Sequence, residues 1–509
     1  VVNVITKQGK EKISVFAQGS LGSFGYESFG AGFAGKEGNV DFCGSFTRST
    51  MDDYTIGDNG VKYHNTGYDS KDNYSINIGY EFLPGNRIGV IHTGYNLDEA
   101  GEPDQLIAND LDNYNNQDNV STDFIYDGKS SNGKFFWKAR YFFGKNEYDL
   151  NDEPYDATGF GFWDSDYKSE VDIQGAQAQF SIHVDESVLT AGVDWMNYEL
   201  DSDPWPPEKA EYDDMAYFIL GKTKLFNKLI FTGGLRFDEY DVEVKKQQGK
   251  DEKTDNTSFN AGAAYLFTDN LKVRLNYGEG FLMPTPQQLA SDYNFWGQQF
   301  TGNPDLDPEE SQTYEGGLDF SWEALDTSIT YFYTDYKKMI TTDILADGTN
   351  IWINIGKAEI EGAEASIGYD FGYLFDLNYI IRPYASVVYL TKYKDKDTDK
   401  DLKYMSDVTA SYGIEVRDFN GFTANLNFAY VGEQDIDYYD PNMFTSSEME
   451  KGGFTVANLV VTKKLVDTHK YGSVSLRGEI KNLTDKKYAY VEGYPMAGRS
   501  FLLGLRYDY

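Results

Sequence analysis

Cysteine is almost missing from these 509 residues: Cys43 stands alone, which excludes a disulfide framework and any cysteine-built metal cluster. Proline is scarce as well, thirteen against fifty glycines. No apolar run approaches the roughly 18 to 20 residues of a membrane helix, so α-helical spans are excluded. A transmembrane barrel is not excluded, because its apolar face takes only every second residue. Basic residues number 45 against 82 acidic ones, a net charge of −37. Without a basic stripe, nucleic acid is excluded as a partner. There is no Gly-x-Ser-x-Gly elbow, phosphate loop or His-Glu-x-x-His pair, and nothing marks an enzyme. The four histidines, His64, His92, His183 and His469, have no metal spacing.

What is present is aromatic and alternating. Forty-one tyrosines and thirty-four phenylalanines favour strands. In "GSVSLRGEIKN", Val474, Leu476 and Ile480 share one face while Ser473, Ser475, Arg477, Glu479 and Lys481 share the other. This is period two with one polar face. The pattern returns in Tyr74, Ile76, Ile78 and Tyr80, and in Ala424, Leu426, Phe428 and Tyr430.

A soluble sandwich alternates too, so three further features decide the class. Aromatic residues such as Tyr141, Phe142, Phe143 and Tyr331 to Tyr333 gather toward strand ends, where interfacial girdles sit. The chain ends inside a strand, with Leu503, Leu505, Tyr507 and Tyr509 on one face. Short turns, at 84–86, 128–133, 268–270, 420–421 and 469–472, alternate with polar stretches at 50–72, 97–118, 146–168, 199–213, 241–255, 280–310, 339–353, 394–403, 435–451 and 483–497. Counting strands between them from Ile13 gives 22. The expectation is all-β: a 22-stranded antiparallel transmembrane β-barrel over residues 11–509. Its lumen is too wide for its own side chains to fill.

At "GEGFLMPTPQQL", Gly278 to Leu289, and "FTGNPDLDPEE", Phe300 to Glu310, the chain resembles the TonB-dependent outer-membrane receptors. Gly280, Phe281, Pro284 and Thr285 match one motif, and Gly302, Asn303, Pro304, Asp305, Leu306, Pro308 and Glu309 match the next. The closing "IKNLTDKKYAYVEGYPMAGRSFLLGLRYDY", with its terminal Tyr509, is similar to the same family. The resemblance implies a Gram-negative outer-membrane location, among membrane lipid and lipopolysaccharide. It also implies a plug domain filling the barrel, TonB acting through that plug, and import of a small-molecule metal chelate such as cobalamin or a ferric siderophore. "VVNVITKQGK", residues 1–10, resembles the last strand of such a plug, so the plug itself is expected to be missing from this chain or supplied separately. The alternative is a plugless passive pore, or a barrel shell around a separate protein. Haem is disfavoured: Leu282 and Met283 replace the Arg-Ala pair typical of haem receptors, and no His lies in 290–302.

Two sets of residues carry the expected binding chemistry. Tyr293, Phe295, Trp296 and Phe300, with Trp205, offer flat aromatic faces to a corrin ring or a catecholate. Asp58, Asp69, Asp72, Asp104, Asp110 and Asp112 lie in two early loops with few compensating bases, and cobalamin receptors are similar in binding calcium through acidic residues of early loops. Calcium is therefore the one expected ion. Asp395, Asp397, Asp399 and Asp401 read as a solvated hairpin tip, because Lys394, Lys396 and Lys400 interleave them. Arg499 is expected to brace the barrel wall.

Overall fold

The computed structural model describes every residue except 1–6, 11, 59, 153–165, 204–206, 246–251, 291, 296–297, 346–347, 355, 444 and 469. Twenty-two antiparallel strands form one sheet. It closes where the first, Ser14–Gly22, pairs with the last, Ser500–Asp508, through Ala17 opposite Tyr507 and Gly19 opposite Leu505. Closure leaves the wall without a free edge, as a bilayer requires.

The alternation read from the sequence sets the two faces of the wall. Leu503, Leu505 and Tyr507 are 58, 51 and 37 % exposed on the outer surface. Between them Arg506 points inward, its Nε 2.9 Å from Asp508 and its Nη1 2.9 Å from Gln18. The same inward pairing recurs around the lumen, in Arg87 with Asp41, Arg140 with Asp123, Arg274 with Asp319 and Arg382 with Asp326. Guanidinium forks suit this work, since each can serve a carboxylate on a neighbouring strand with fixed geometry.

The wall is lopsided. The eight strands from Tyr68–Leu83 to Leu229–Val244 run 16 to 18 residues, whereas Ser14–Gly22 and Ser500–Asp508 have nine each. A spanning strand needs about 9–11 residues. The tall side therefore stands roughly 15–20 Å clear of the membrane at about 3.3 Å per residue. Several stretches expected as loops belong to these strands, among them 97–101, 114–118, 146–151 and 241–244. Above the bilayer both faces meet water, so the polar alternation fades while the backbone ladder continues.

Other loops contain structure of their own. Asp292–Phe295, Gln298–Thr301, Asn350–Asn354 and Ile340–Ile344 form a four-stranded sheet, and Gln434–Asp440 pairs with Thr445–Lys451. The opposite rim has tight turns, with one exception. There Asp370 caps a one-turn helix, Phe371–Leu374, by accepting from the Gly372 N–H at 2.8 Å.

Phe142 departs from the girdle reading. Tyr141 and Phe143 are exposed on the outer face, but Phe142 is 5 % exposed and lies 4.2 Å from the Arg140 guanidinium. Three consecutive aromatics cannot share one face of a strand. Of residues 1–10, the first six lie outside the described residues, and Lys7 to Lys10 form no strand. The Lys7 carbonyl accepts from Asn77 Nδ2 at 2.8 Å, and Asn77 Oδ1 in turn accepts from Arg87 Nη2 at 2.9 Å, which places this segment against the inner wall.

Candidate functional site

The long-loop rim is held together by three segments that interlock. Tyr63, 1 % exposed, donates its hydroxyl to the Asp104 carbonyl. Asn65 Nδ2 donates to the Asp110 carbonyl at 2.6 Å, and Asn109 Nδ2 to the His64 carbonyl at 2.9 Å. The connection after Lys481 closes over both loops: Leu106 N–H donates to the Gly493 carbonyl at 2.9 Å and Tyr54 hydroxyl to the Pro495 carbonyl at 2.9 Å. Gly57 is required here, since a Cβ would stand 2.5 Å from the Lys486 carbonyl oxygen. Asn482, 2 % exposed, anchors the connection by donating to the carbonyls of Lys486 and Ala497.

Within this rim, Asp110, Asp112 and Asp152 bring carboxylate oxygens within 4.8 Å of one another. Among the described residues no other group of three acidic, His or Cys side chains does so. Asp110 and Asp152 are buried and Asp112 half-buried. Asp104 is adjacent, its Oδ2 accepting from the Asp110 N–H at 3.4 Å. Burial pushes the Asp104 carboxyl above the usual carboxylate range, and the charges of Asp110, Asp152 and Glu102 add to this against the Asp110 N–H. Hard oxygen donors gathered this closely match the chemistry of a calcium site.

The other acidic candidates are placed elsewhere. Asp69 lines a cavity of about 550 Å³ together with Asp52, Asp53, Glu99 and Asp112. Asp58 sits at an exposed turn with a φ of 76°. Asp72 faces Arg48 across the strands at 3.6 Å, so its charge is already answered. Asp53 is also engaged: its desolvation is outweighed by the N–H groups of Thr66 and Gly67 and by Lys62, and its carboxyl is held below the usual range. Sequence reasoning missed Asp152, which lies among Glu147, Asp149, Glu153 and Asp156 in a stretch read only as a polar connection.

Of the aromatic candidates, Trp205 and Trp296 fall outside the described residues. Tyr293 and Phe300 are direct cross-strand partners in the four-stranded sheet, and Phe295 ends the same hairpin opposite Gln298. That sheet joins the tall wall through an apolar patch. Leu289, Ala290 and Leu306 pack on Ala210, Val242 and Val244, with Ile340 and Trp352 beside them. The matched Pro284 and Leu306 are thus structural, at under 2 % and at 1 % exposure. Arg499 holds the connection after Lys481 rather than the wall, its backbone N–H donating to Asp485 Oδ1 at 2.7 Å and its Nη1 to the Leu483 carbonyl at 3.5 Å.

Comparison with known proteins bears on this arrangement. A cobalamin transporter, "Vitamin B12 transporter BtuB" of Photobacterium profundum, is 26 % identical over 350 residues, which are 68 % of this chain and 51 % of the relative. The chain therefore matches about half the length of that relative. Among solved structures, the "Copper transporter OprC" superposes with a TM-score of 0.82 at 16 % identity over 98 % of this chain and 81 % of its own. The FrpB iron transporter from Neisseria meningitidis gives 0.77 at 17 % over 98 % and 82 %. At these identities the two structures bear on the fold alone. The family described as "TonB dependent receptor-like, beta-barrel" matches residues 17–483, and the chain belongs to it.

Proposed function

We propose that this barrel is the membrane-spanning body of an uptake receptor in the Gram-negative outer membrane, carrying a scarce, large metal chelate. Cobalamin is the first candidate and a ferric siderophore the second. The observation that carries this reading is the rim. Asp110, Asp112 and Asp152 stand within 4.8 Å over a lumen that 22 strands leave too wide for side chains to fill. Their acidic oxygens, with Asp104 beside them, suit calcium, which would tie two segments of the mouth together. The neighbouring small sheet carries Tyr293, Phe295 and Phe300, residue types that suit a flat ligand. The likeness to a cobalamin transporter supports the ligand order, and the family supports a plug in the lumen and TonB acting through it.

Binding of cyanocobalamin and of a ferric catecholate to the full chain in detergent, with calcium and with chelator, tests the proposal. Saturable, calcium-dependent cobalamin binding is expected. Binding of neither compound, together with free passage of large solutes through the chain in liposomes, would overturn it in favour of an open pore.

A further inference from the structure

Three tall strands, Ser187–Asp203, Lys209–Leu225 and Leu229–Val244, carry on their inner face a group of charges that the uptake reading does not use. Ala216 stands directly opposite Asp194 on one neighbour and Asp238 on the other. Asp214 lies two residues along the same strand, on the same face. Ala216 places only a methyl between these longer side chains. Arg236 provides the countercharge, with Nη1 2.7 Å from Asp194, Nε 2.7 Å from Asp238 and Nη2 4.0 Å from Asp214. One guanidinium against three carboxylates leaves two negative charges.

Asp214 and Asp238 are closed off from water, while Asp194 and Arg236 stay partly exposed. Ala216 and Asp238 are 0 % exposed and Asp214 is 2 % exposed. Tyr212 and Tyr240 lie beside it with ring centroids 5.6 Å apart and planes tilted by 60°, and Phe281 adds a ring 5.4 Å from Tyr240. Buried polar atoms are nearly always hydrogen-bonded, and a buried charge without a partner is costly. Yet Asp214 Oδ1 and Asp238 Oδ2 are both buried and accept no hydrogen bond. They belong to neighbouring strands and flank the same alanine. Carboxylate oxygens in this position are what a hard cation takes, and the Tyr240 hydroxyl beside Asp238 acts on it as a hydrogen-bond donor.

We propose that a divalent cation of the calcium or magnesium class binds in the barrel wall between Asp214 and Asp238. Two positive charges balance the three carboxylates and one arginine. With the guanidinium among them, the three carboxylates do not converge within 4.8 Å as Asp110, Asp112 and Asp152 do, so the ion takes two of them and completes its shell with other oxygens. The site lies next to Val242 and Val244, where the small sheet docks, so the ion stiffens the wall beneath the mouth.

Terbium(III), excited through nearby tyrosines, is the probe, with the full chain in detergent. In an Asp110→Asn/Asp112→Asn background, which silences the rim, one luminescent site displaceable by calcium is expected to persist. Adding Asp214→Asn/Asp238→Asn should weaken it at least about tenfold. Ala216→Leu enlarges the side chain between the carboxylates while keeping each of them and should do the same, so a failure of the double variant to fold leaves the question decidable. Electrophoretic mobility without heating reports barrel closure in each case. Absence of terbium binding in the rim-silenced protein overturns the proposal, as does binding that survives both sets of substitutions. A rise in thermal midpoint on Asp214→Asn/Asp238→Asn with terbium binding unchanged would assign a shared proton instead, and also overturns it. None of these outcomes depends on which chelate the receptor carries.

Discussion

Two triads of aspartate, Asp110, Asp112 and Asp152 at the rim and Asp194, Asp214 and Asp238 in the wall, are built by opposite means. The rim triad gathers just beyond the end of the ladder in which Tyr114 stands opposite Asn151, and its carboxylates approach one another directly. The wall triad is spaced by strand pairing, and an arginine stands among its members. Register fixes where a wall charge sits, so its partner is fixed too, an arginine on the same strand or one or two strands away. Loop charges find partners by folding over one another. The same chemical group is therefore a structural element in one region and an exchangeable one in the other.

The sharpest way to break this contrast is to remove a wall arginine. Arg87 is bidentate to Asp41 at 2.7 and 2.6 Å, with side chains only 11 and 7 % exposed. Arg87→Met leaves Asp41 buried and unpaired, which is expected to lower unfolding stability by about 3–5 kcal/mol, read by urea denaturation of the folded barrel. Arg87→Met/Asp41→Leu should restore most of it, because no unpaired charge then remains. A single variant as stable as the parent would show that water reaches Asp41 and that the wall is not the low-dielectric environment argued here.

At the rim the expected effect is on binding. Asp112→Asn should weaken calcium at least about tenfold while the unfolding midpoint in chelator stays unchanged. Isothermal titration and the same urea series check the two halves. A large loss of stability without calcium would make the rim triad structural, like the wall.

What the sequence made legible follows this same division. Alternation in Val474 to Ile480 and in Leu503 to Tyr509 fixed the inner and outer faces, and the turn pattern yielded 22 strands, because strand period and closure are local or countable properties. The upper parts of the tall strands were hidden, since with water on both faces 97–101 and 146–151 carry no apolar period. The rim triad was half legible: Asp110 and Asp112 lie in an acidic run, while Asp152 joins them only through the fold. The wall triad was invisible for a different reason. Asp194, Asp214 and Asp238 are each one more polar residue on an inward face, and only cross-strand register reveals that they surround Ala216.

Acidity separates the regions less strongly than mutation does. Asp104 has its carboxyl raised, first by burial and then by Asp110, Asp152 and Glu102. The folded rim thus favours the protonated form. Its contribution to stability is greatest below the ordinary carboxylate value near pH 4 and is lost as pH rises through the higher folded-state value. In chelator, amides of the 101–113 loop should exchange faster at pH 7 than at pH 4 after correction for intrinsic rates, and Asp104→Asn should flatten that dependence. Calcium should reverse its sign, because a bound cation favours the ionised form.

The smallest effect belongs to the exposed pairs of the loops. Lys403 lies 2.5 Å from Asp437 and 2.8 Å from Glu448 on the paired hairpin, and both carboxylates are more than half exposed. The two contacts raise the lysine and lower Glu448, yet the attraction is screened by water and salt and opposed by the ordering of three long side chains. The hairpin is held by its backbone ladder from Gln434 opposite Lys451 to Asp440 opposite Thr445, and by the Tyr404 hydroxyl donating to the Asp437 carbonyl at 2.6 Å. Lys403→Met should leave the thermal midpoint and the hairpin's exchange protection unchanged at physiological salt. At low ionic strength a small loss should emerge, since screening is then reduced. A loss as large at high salt as at low salt would mean that this loop pair is shielded from solvent as the wall pairs are, and the division between the two regions would no longer hold.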